Sequence, residues 1–334
     1  MDRRAANTTQ LALFISALDA TIVATAIPTI ASAMGHSGNG YSWIGGAYLL
    51  ANAASGPIFA KCSDIWGRKP ILMFAVTLFA GSSIVAATSV SMGMLIAGRA
   101  LQGTAAGGCT QLVFITISDL FSVRKRGLIL GLTELVWALA GGLGPILGGA
   151  FAEYISWRWC FWFNLPICGL AFILLLVFLD VHNPKTRLRD GLRAIDWFGT
   201  LAILGVTTML LLGLDFGGSV APWGSAKVVC LIVFGSVMIL FFFFSEKKLA
   251  KYPLMPLDIF NNRSAASACL VTFCHGFVFI AAEYYLPLYF QAVKAASPLR
   301  SGVLLLPVTL STAAMGVVSG VVINSTGRYR ETIW

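Results

Sequence analysis

The sequence predicts an all-α, polytopic membrane protein. Hydrophobic residues make up 57% of its 334 positions and charged residues only 11%, whereas a soluble domain carries about 25% charged residues. The apolar residues form repeated runs of about 20, the length of a helix that crosses about 30 Å of hydrocarbon. The alternation typical of a membrane β-barrel is missing from these runs. They predict ten spans, near residues 10–30, 41–60, 71–89, 93–118, 128–150, 160–179, 197–215, 227–245, 266–290 and 301–323.

The basic residues predict the orientation of these spans. If the N-terminus is cytoplasmic, 18 of the 23 Lys and Arg residues fall on the cytoplasmic side, four on the other side and Arg99 inside a span. This distribution follows the positive-inside rule. The net charge of +9 therefore reflects topology, and we expect no nucleic-acid partner. We expect a monomer in the lipid bilayer of the plasma membrane, with its N-terminus in the cytoplasm.

The sequence carries no pattern typical of catalysis or of cofactor binding. The three histidines lie far apart, the seven cysteines sit mostly inside spans, and no GxxxxGK[ST] nucleotide-binding loop occurs. We therefore expect neither a metal nor a cofactor, and we expect that the protein is not an enzyme.

The chain contains the start of an internal repeat, displaced by 260 positions. The stretch AKCSDIWGRKP at residues 60–70 matches part of GVVINSTGRYRETIW at residues 320–334, which aligns Asp64 with Asn324, Gly67 with Gly327 and Arg68 with Arg328. The same offset maps the first two spans onto the last two. Parallel repeats of six spans are a transporter architecture.

The repeat predicts three parts. Residues 1–180 form a six-helix bundle, residues 181–250 a basic linker with two inserted helices, and residues 251–334 the first two helices of a second bundle. A complete second bundle needs four more helices, which makes fourteen in all.

Charged residues inside predicted spans are the candidate site, and these are Asp19, Arg99, Glu134 and Glu283. A charge at mid-membrane costs at least about 2.5 kcal/mol on insertion scales, so each needs a cavity, a partner or, for an acid, a proton. Arg99 keeps its proton and requires an anionic partner. With a rise of 1.5 Å per residue, Asp19 lies about 13 Å and Arg99 about 20 Å from the inner edge, so their side chains meet if spans one and four are neighbours. Each acid has two open interpretations: a protonation site, or a carboxyl that is hydrogen-bonded for structure alone.

The fifth span contains the stretch WALAGGLGPILGGAFAEY at residues 137–154. Gly141, Pro145 and Gly148–Gly149 are expected on one helix face, where they permit close contact with another helix, and Gly144 precedes the proline. Pro145 removes a backbone hydrogen bond and bends the span. Generic packing of small residues is the alternative interpretation.

These stretches resemble the major facilitator superfamily, and within it the fourteen-span drug:proton antiporters of the fungal toxin-efflux branch. The resemblance covers nearly the whole chain, since it also includes LDATIVATAIPTI at 18–30, LIAGRALQGTAAGG at 95–108, SWRWCFWFNLPI at 156–167 and AEYYLPLYFQAVKAASPLRSGVLLLP at 282–307. It implies proton-coupled efflux of a drug, toxin or secondary metabolite by alternating access. The alternatives are a truncated, transport-inactive fragment and a nutrient or siderophore transporter of the same superfamily.

The resemblance also assigns roles to individual residues. It implies proton coupling at Arg99 with Asp19, with Gln102 in the same cluster. Protons entering from the acidic side neutralise Asp19, with Glu134 and Glu283 as further proton sites. The loop after the second span is implied to latch the outward-open state through Asp64, Gly67 and Arg68, with Asp119 as the expected partner of Arg68. The glycine–proline motif of the fifth span is implied to mark an antiporter rather than an importer.

Overall fold

The computed structural model describes residues 2–34, 40–180, 196–249, 254–255, 257–296 and 298–327. Almost all of them are helical. A five-residue π-helical turn, Phe151–Ile155, extends α5, and a short 3-10 helix, Leu257–Asn261, precedes α10. The α-helices are α1 (Asp2–Ala33), α2 (Gly40–Trp66), α3 (Arg68–Ala87), α4 (Met92–Leu120), α5 (Val123–Ala150), α6 (Trp159–Trp162), α7 (Asn164–Phe178), α8 (Trp197–Phe216), α9 (Ala226–Lys248), α10 (Arg263–Ala292) and α11 (Pro298–Thr326).

Each predicted span corresponds to one helix, except the sixth, which is divided into α6 and α7. Pro166 explains the division, because it has no N–H to donate to the carbonyl of Trp162, four residues earlier. Seven segments of the described chain are long and apolar enough to cross a membrane: Thr8–Ile27, Arg68–Ala87, Lys125–Ile155, Trp159–Phe178, Trp197–Phe216, Ala226–Lys248 and Val303–Thr326. The three other predicted spans do not meet this requirement. Small and polar residues lower the mean hydropathy of α2 and α4, and the described apolar stretch of α10, Arg263–Phe279, is too short.

The chain forms two compact units, one of Met1–Arg187 with Leu306–Trp334 and one of Leu188–Leu305. In the first unit α2 packs along α4, α3 packs on the same helix, and α1 packs along α5. In the second unit α8 packs against α9. The division at 1–180, 181–250 and 251–334 stays a prediction, and the linker at 181–195 lies outside the described residues.

Glycines of α4 allow α2 to approach closely. A Cβ atom at Gly103 would lie 2.2 Å from the backbone oxygen of Tyr48, and one at Gly107 would lie 2.3 Å from the backbone oxygen of Asn52. Any larger residue at these two positions would push the helices apart, because both clashes are with backbone atoms. This close contact places Tyr48 of α2 directly against α4.

The glycines of α5 contact two neighbouring helices, whereas the sequence suggested contact with one. A Cβ atom at Gly144 would lie 2.1 Å from Oγ1 of Thr21 in α1, whereas one at Gly141 would lie 3.4 Å from Cγ2 of Thr309 in α11. Gly148 also faces α1, and a Cβ atom at Gly149 would meet nothing within 4 Å. With about 100° per residue, positions 141, 145 and 148 lie within about 60° of one another around the helix, so the neighbouring helix changes along one face.

The internal repeat is visible in the helix ends. α2 ends at Trp66 before Gly67, and α11 ends at Thr326 before Gly327, an offset of 260 residues. Both glycines have a positive φ, 98° and 71°, a conformation that residues with a Cβ atom rarely adopt. The two copies of the loop therefore both begin at a glycine with a positive φ.

Candidate functional site

The candidate site is a buried ion pair in the first unit. Asp19 of α1 is 0% exposed and Arg99 of α4 is 1% exposed. Nη1 of Arg99 donates to Oδ2 of Asp19 at 2.5 Å. The structure thus brings together the two charges that the sequence predicts to meet between spans one and four.

Two amide side chains complete the shell around Asp19. Nε2 of Gln102 lies 3.3 Å from Oδ1 of Asp19, and Nδ2 of Asn164 lies 2.7 Å from the same oxygen. Gln102 also accepts a hydrogen bond from Nη1 of Arg99 at 2.9 Å and donates to Oγ of Ser83 in α3 at 2.8 Å. The carboxylate therefore receives donors from α4 and α7, and the network reaches α3.

Arg99 has further partners on α2. Its Nε donates to the backbone oxygen of Ile44 at 3.1 Å, and its Cζ lies 4.2 Å from the ring centroid of Tyr48, a cation–π distance. The hydroxyl of Tyr48 donates to the backbone oxygen of Ser16 in α1 at 2.9 Å. The close contact between α2 and α4 holds this ring in place.

The energetics of the pair explain why it is so completely bonded. Burying two charges costs several kcal/mol per ion, and mutual attraction compensates only if the remaining donors and acceptors are also satisfied. Here every one of α1, α2, α3, α4 and α7 supplies at least one partner. Removal of either charge alone leaves the other buried and unpaired, which costs about 3–5 kcal/mol.

The other two acids expected at the site are placed differently. Glu134 is exposed and lies against Gly316 of α11. Its neighbour Thr133 accepts a hydrogen bond from Gln10 of α1 at 2.8 Å, and Gln10 is nine residues, or about 13 Å, along the helix from Asp19. Glu134 is therefore not part of the Asp19 cluster. Glu283 belongs to α10, but its side chain lies outside the described residues.

A second polar cluster, the loop cluster, lies between α2 and α3 and consists of Ser63, Asp64, Gly67, Arg68 and Asp119. Nε of Arg68 donates to Oδ2 of Asp119 at 2.9 Å, its Nη1 donates to Oγ of Ser63 at 2.6 Å, and it forms an ion pair with Asp64. The expected pairing of Arg68 with Asp119 is thus present, and it joins the start of α3 to the end of α4. Its role as a latch remains a proposal.

Sequence reasoning missed Asn164 and Tyr48. Asn164 is 0% exposed and Tyr48 is 2% exposed, and both contact the ion pair directly. An isolated amide two residues before a proline, in an otherwise apolar span, is the signal that could have identified Asn164. No comparable signal exists for Tyr48, because its position depends on the glycines of α4.

Helices long and apolar enough to cross a membrane, with an ion pair buried among them, define the class of this molecule: it is a multi-pass membrane protein. The sequence profile of the Major Facilitator Superfamily matches residues 10–334, and the chain belongs to that family. Family membership places it among transporters rather than enzymes.

Relatives and a solved structure agree with this assignment. The chain is 53% identical to the efflux pump dotC of Dothistroma septosporum, a match that covers 96% of this chain and 55% of the pump. It is 47% identical to the MFS-type transporter ppz2 of Metarhizium majus, over 97% of this chain and 56% of that protein. The chain therefore spans about half the length of these curated relatives. The proton:xylose symporter XylE shares the fold, with a TM-score of 0.66 at 14% identity over 96% of this chain and 69% of the symporter.

Proposed function

We propose that the protein carries out proton-coupled efflux of small amphipathic organic compounds, such as a toxin or another secondary metabolite, by alternating access. The protons and the exported molecule are its partners. It works as a monomer in the plasma membrane, with its N-terminus in the cytoplasm. Two things support the direction of transport: the 53% identity to a protein named as an efflux pump and the glycine–proline motif of α5.

The buried Asp19–Arg99 pair is the observation that carries the proposal. A carboxyl at this depth that can exchange a proton is a typical element of proton-driven transport. Arg99 is a permanent cation bonded to Asp19 at 2.5 Å, so the attraction between the two helices depends on the charge of this carboxyl. When Asp19 is neutral, the attraction between α1 and α4 weakens, and this change can be coupled to the movement of the helices.

The loop cluster has a supporting role in the proposal. Arg68 contacts Asp119 at 2.9 Å, and it links the end of α4 to the turn between α2 and α3. Contacts of this kind between helix ends stabilise one conformation relative to another. We assign to them the latch of the outward-open state, and to Gly141, Gly144, Pro145, Gly148 and Gly149 the packing surfaces along which α5 moves.

The direction and the coupling are tested together in yeast cells that express the full-length protein. Cells with the wild-type protein should accumulate less rhodamine 6G, an amphipathic dye, than cells with the Asp19→Asn variant, at equal amounts of protein in the membrane. A proton uncoupler should abolish the difference. Higher accumulation with the wild-type protein would indicate import and would contradict the proposal.

A further inference from the structure

Asn164 is the partner of Asp19 whose hydrogen bonding is incomplete. The side chain is 0% exposed, and its Nδ2 donates to Oδ1 of Asp19 at 2.7 Å. Its own Oδ1 is buried and has no hydrogen-bond partner among the described residues. Buried amide oxygens are almost always bonded, so an unbonded one beside a titratable group requires an explanation.

A neutral Asp19 needs an acceptor, and one neighbouring side chain has an acceptor oxygen without a hydrogen bond. A carboxylate accepts hydrogen bonds, whereas a carboxylic acid also donates one. Arg99 has donors only, and Oε1 of Gln102 already accepts from Arg99 at 2.9 Å, which leaves it one lone pair. Among the three side chains that donate to Asp19, Asn164 is the one whose acceptor oxygen is buried and has no partner among the described residues.

The remaining groups around Asp19 do not compete for this role. Among the described residues, Arg99 is the charged side chain that faces Asp19. The thiols of Cys160 in α6 and Cys168 in α7 are close enough to interact with it electrostatically. From α2, the hydroxyl of Tyr48 is bonded to the backbone of α1. On the side of α5, the backbone oxygen of Ala140 is bonded to Thr21 at 2.9 Å.

We infer that Asn164 is a positioning residue that serves both protonation states of Asp19, because its amide donates a hydrogen bond to the carboxylate and turns over to accept one from the O–H group of the acid. A rotation of about 180° around the last side-chain bond exchanges the amide nitrogen and oxygen without moving the rest of the residue. The proton comes from water on the acidic side and binds to Oδ1 of Asp19. The N–H···O bond from Asn164 is then replaced by an O–H···O bond to it, and no electrons are transferred.

Arg99 keeps three contacts that do not depend on the charge of Asp19. Its Nε donates to Ile44, its Nη1 donates to Gln102, and its guanidinium lies 4.2 Å from the ring of Tyr48. Protonation of Asp19 therefore removes the anionic partner of Arg99 but leaves these polar contacts in place.

The inference rests on the proposed proton coupling, and infrared spectroscopy tests the two separately. The full-length protein is labelled with ¹³C at the aspartate carboxyl groups and reconstituted in lipid, and difference spectra are recorded as the pH is lowered. A band of protonated carboxyl that is missing in the Asp19→Asn variant belongs to Asp19. In the Asn164→Leu variant this band should move to higher wavenumber, because the acid has lost the acceptor of its O–H group.

The control variant is Thr116→Val, which removes the hydroxyl of a fully buried residue in α4. It should leave the Asp19 band unchanged. If Asn164→Leu also leaves it unchanged, the inference is wrong while the proton site stands. If no band depends on Asp19, both the proton site and the inference are wrong. A measurement on the wild-type protein with ¹³C at the asparagine amide needs no variant: the carbonyl band of Asn164 should shift to lower wavenumber as the Asp19 band appears, and an unchanged amide would overturn the inference.

Discussion

Replacement of Arg99 by methionine should strongly destabilise the protein, and an additional Asp19→Asn substitution should reverse much of the loss. Methionine fills most of the volume of the side chain but provides no charge. Asp19 is 0% exposed and would remain as a buried carboxylate without its cation, at a cost of about 3–5 kcal/mol. Loss of the contact with the Tyr48 ring adds about 0.5–2 kcal/mol. The neutral amide in the double variant can still accept hydrogen bonds from Gln102 and Asn164, so the cost of the unpaired charge disappears.

The assay is a double-mutant cycle on unfolding in mixed detergent micelles, followed by the fluorescence of the nine tryptophans. The coupling free energy between the two positions should be about 3 kcal/mol or more, because the cost of the unpaired carboxylate disappears in the double variant. Arg126→Met is the matched control, because Arg126 donates to backbone oxygens of Ser118 and Phe121 rather than to a carboxylate, so its effect should add to that of Asp19→Asn. A coupling below about 0.5 kcal/mol between positions 19 and 99 would refute the account of the pair as mutually dependent charges.

Three further predictions concern packing and the loop cluster. Gly144→Leu should lower the unfolding midpoint and reduce transport, at a cost of about 1–3 kcal/mol or more, because a Cβ atom there would lie 2.1 Å from Thr21. The control Gly81→Leu in α3, with nothing within 4 Å of its Cβ, should leave both unchanged. Gly67→Ala should cost about 1–3 kcal/mol in thermal unfolding, since φ is 98°, and an effect near zero would show that the turn is not constrained. Asp119→Asn should change the free energy of unfolding by less than about 1 kcal/mol, because the pair with Arg68 is partly exposed. The same variant should change transport at least several-fold if the pair is a latch. Unaltered transport would contradict that role.

Sequence patterns predicted the helices because the driving forces are local. Apolar runs of about 20 residues, a proline or glycine at the right place and the distribution of basic residues are all visible in the chain. The 260-residue repeat is also visible, and it aligned Gly67 with Gly327, each of which follows the end of a helix and has a positive φ. The pairing of Asp19 with Arg99 could be predicted because each charge is intolerable alone in an apolar interior.

What could not be predicted depends on contacts between distant residues. The ring of Tyr48 reaches Arg99 only because Gly103 admits the backbone of α2, and no pattern in α2 shows this. The two helices that the α5 glycines contact could not be predicted, because spacing alone does not tell how many helices surround α5. Likewise, Glu134 was expected as a further proton site, and the sequence could not show that its neighbour Thr133 meets Gln10, about 13 Å along α1 from Asp19.

The central claim, that Asp19 carries the proton exchanged for the exported compound, is tested most directly by measuring proton movement during transport. Proteoliposomes that contain the full-length protein and an entrapped pH-sensitive dye are loaded with rhodamine 6G, and dye efflux and internal pH are recorded together. The account predicts that efflux is accompanied by acidification of the interior, and that Asp19→Asn abolishes the acidification. Acidification of equal size in Asp19→Asn, or efflux in the wild type with no proton movement, would contradict it.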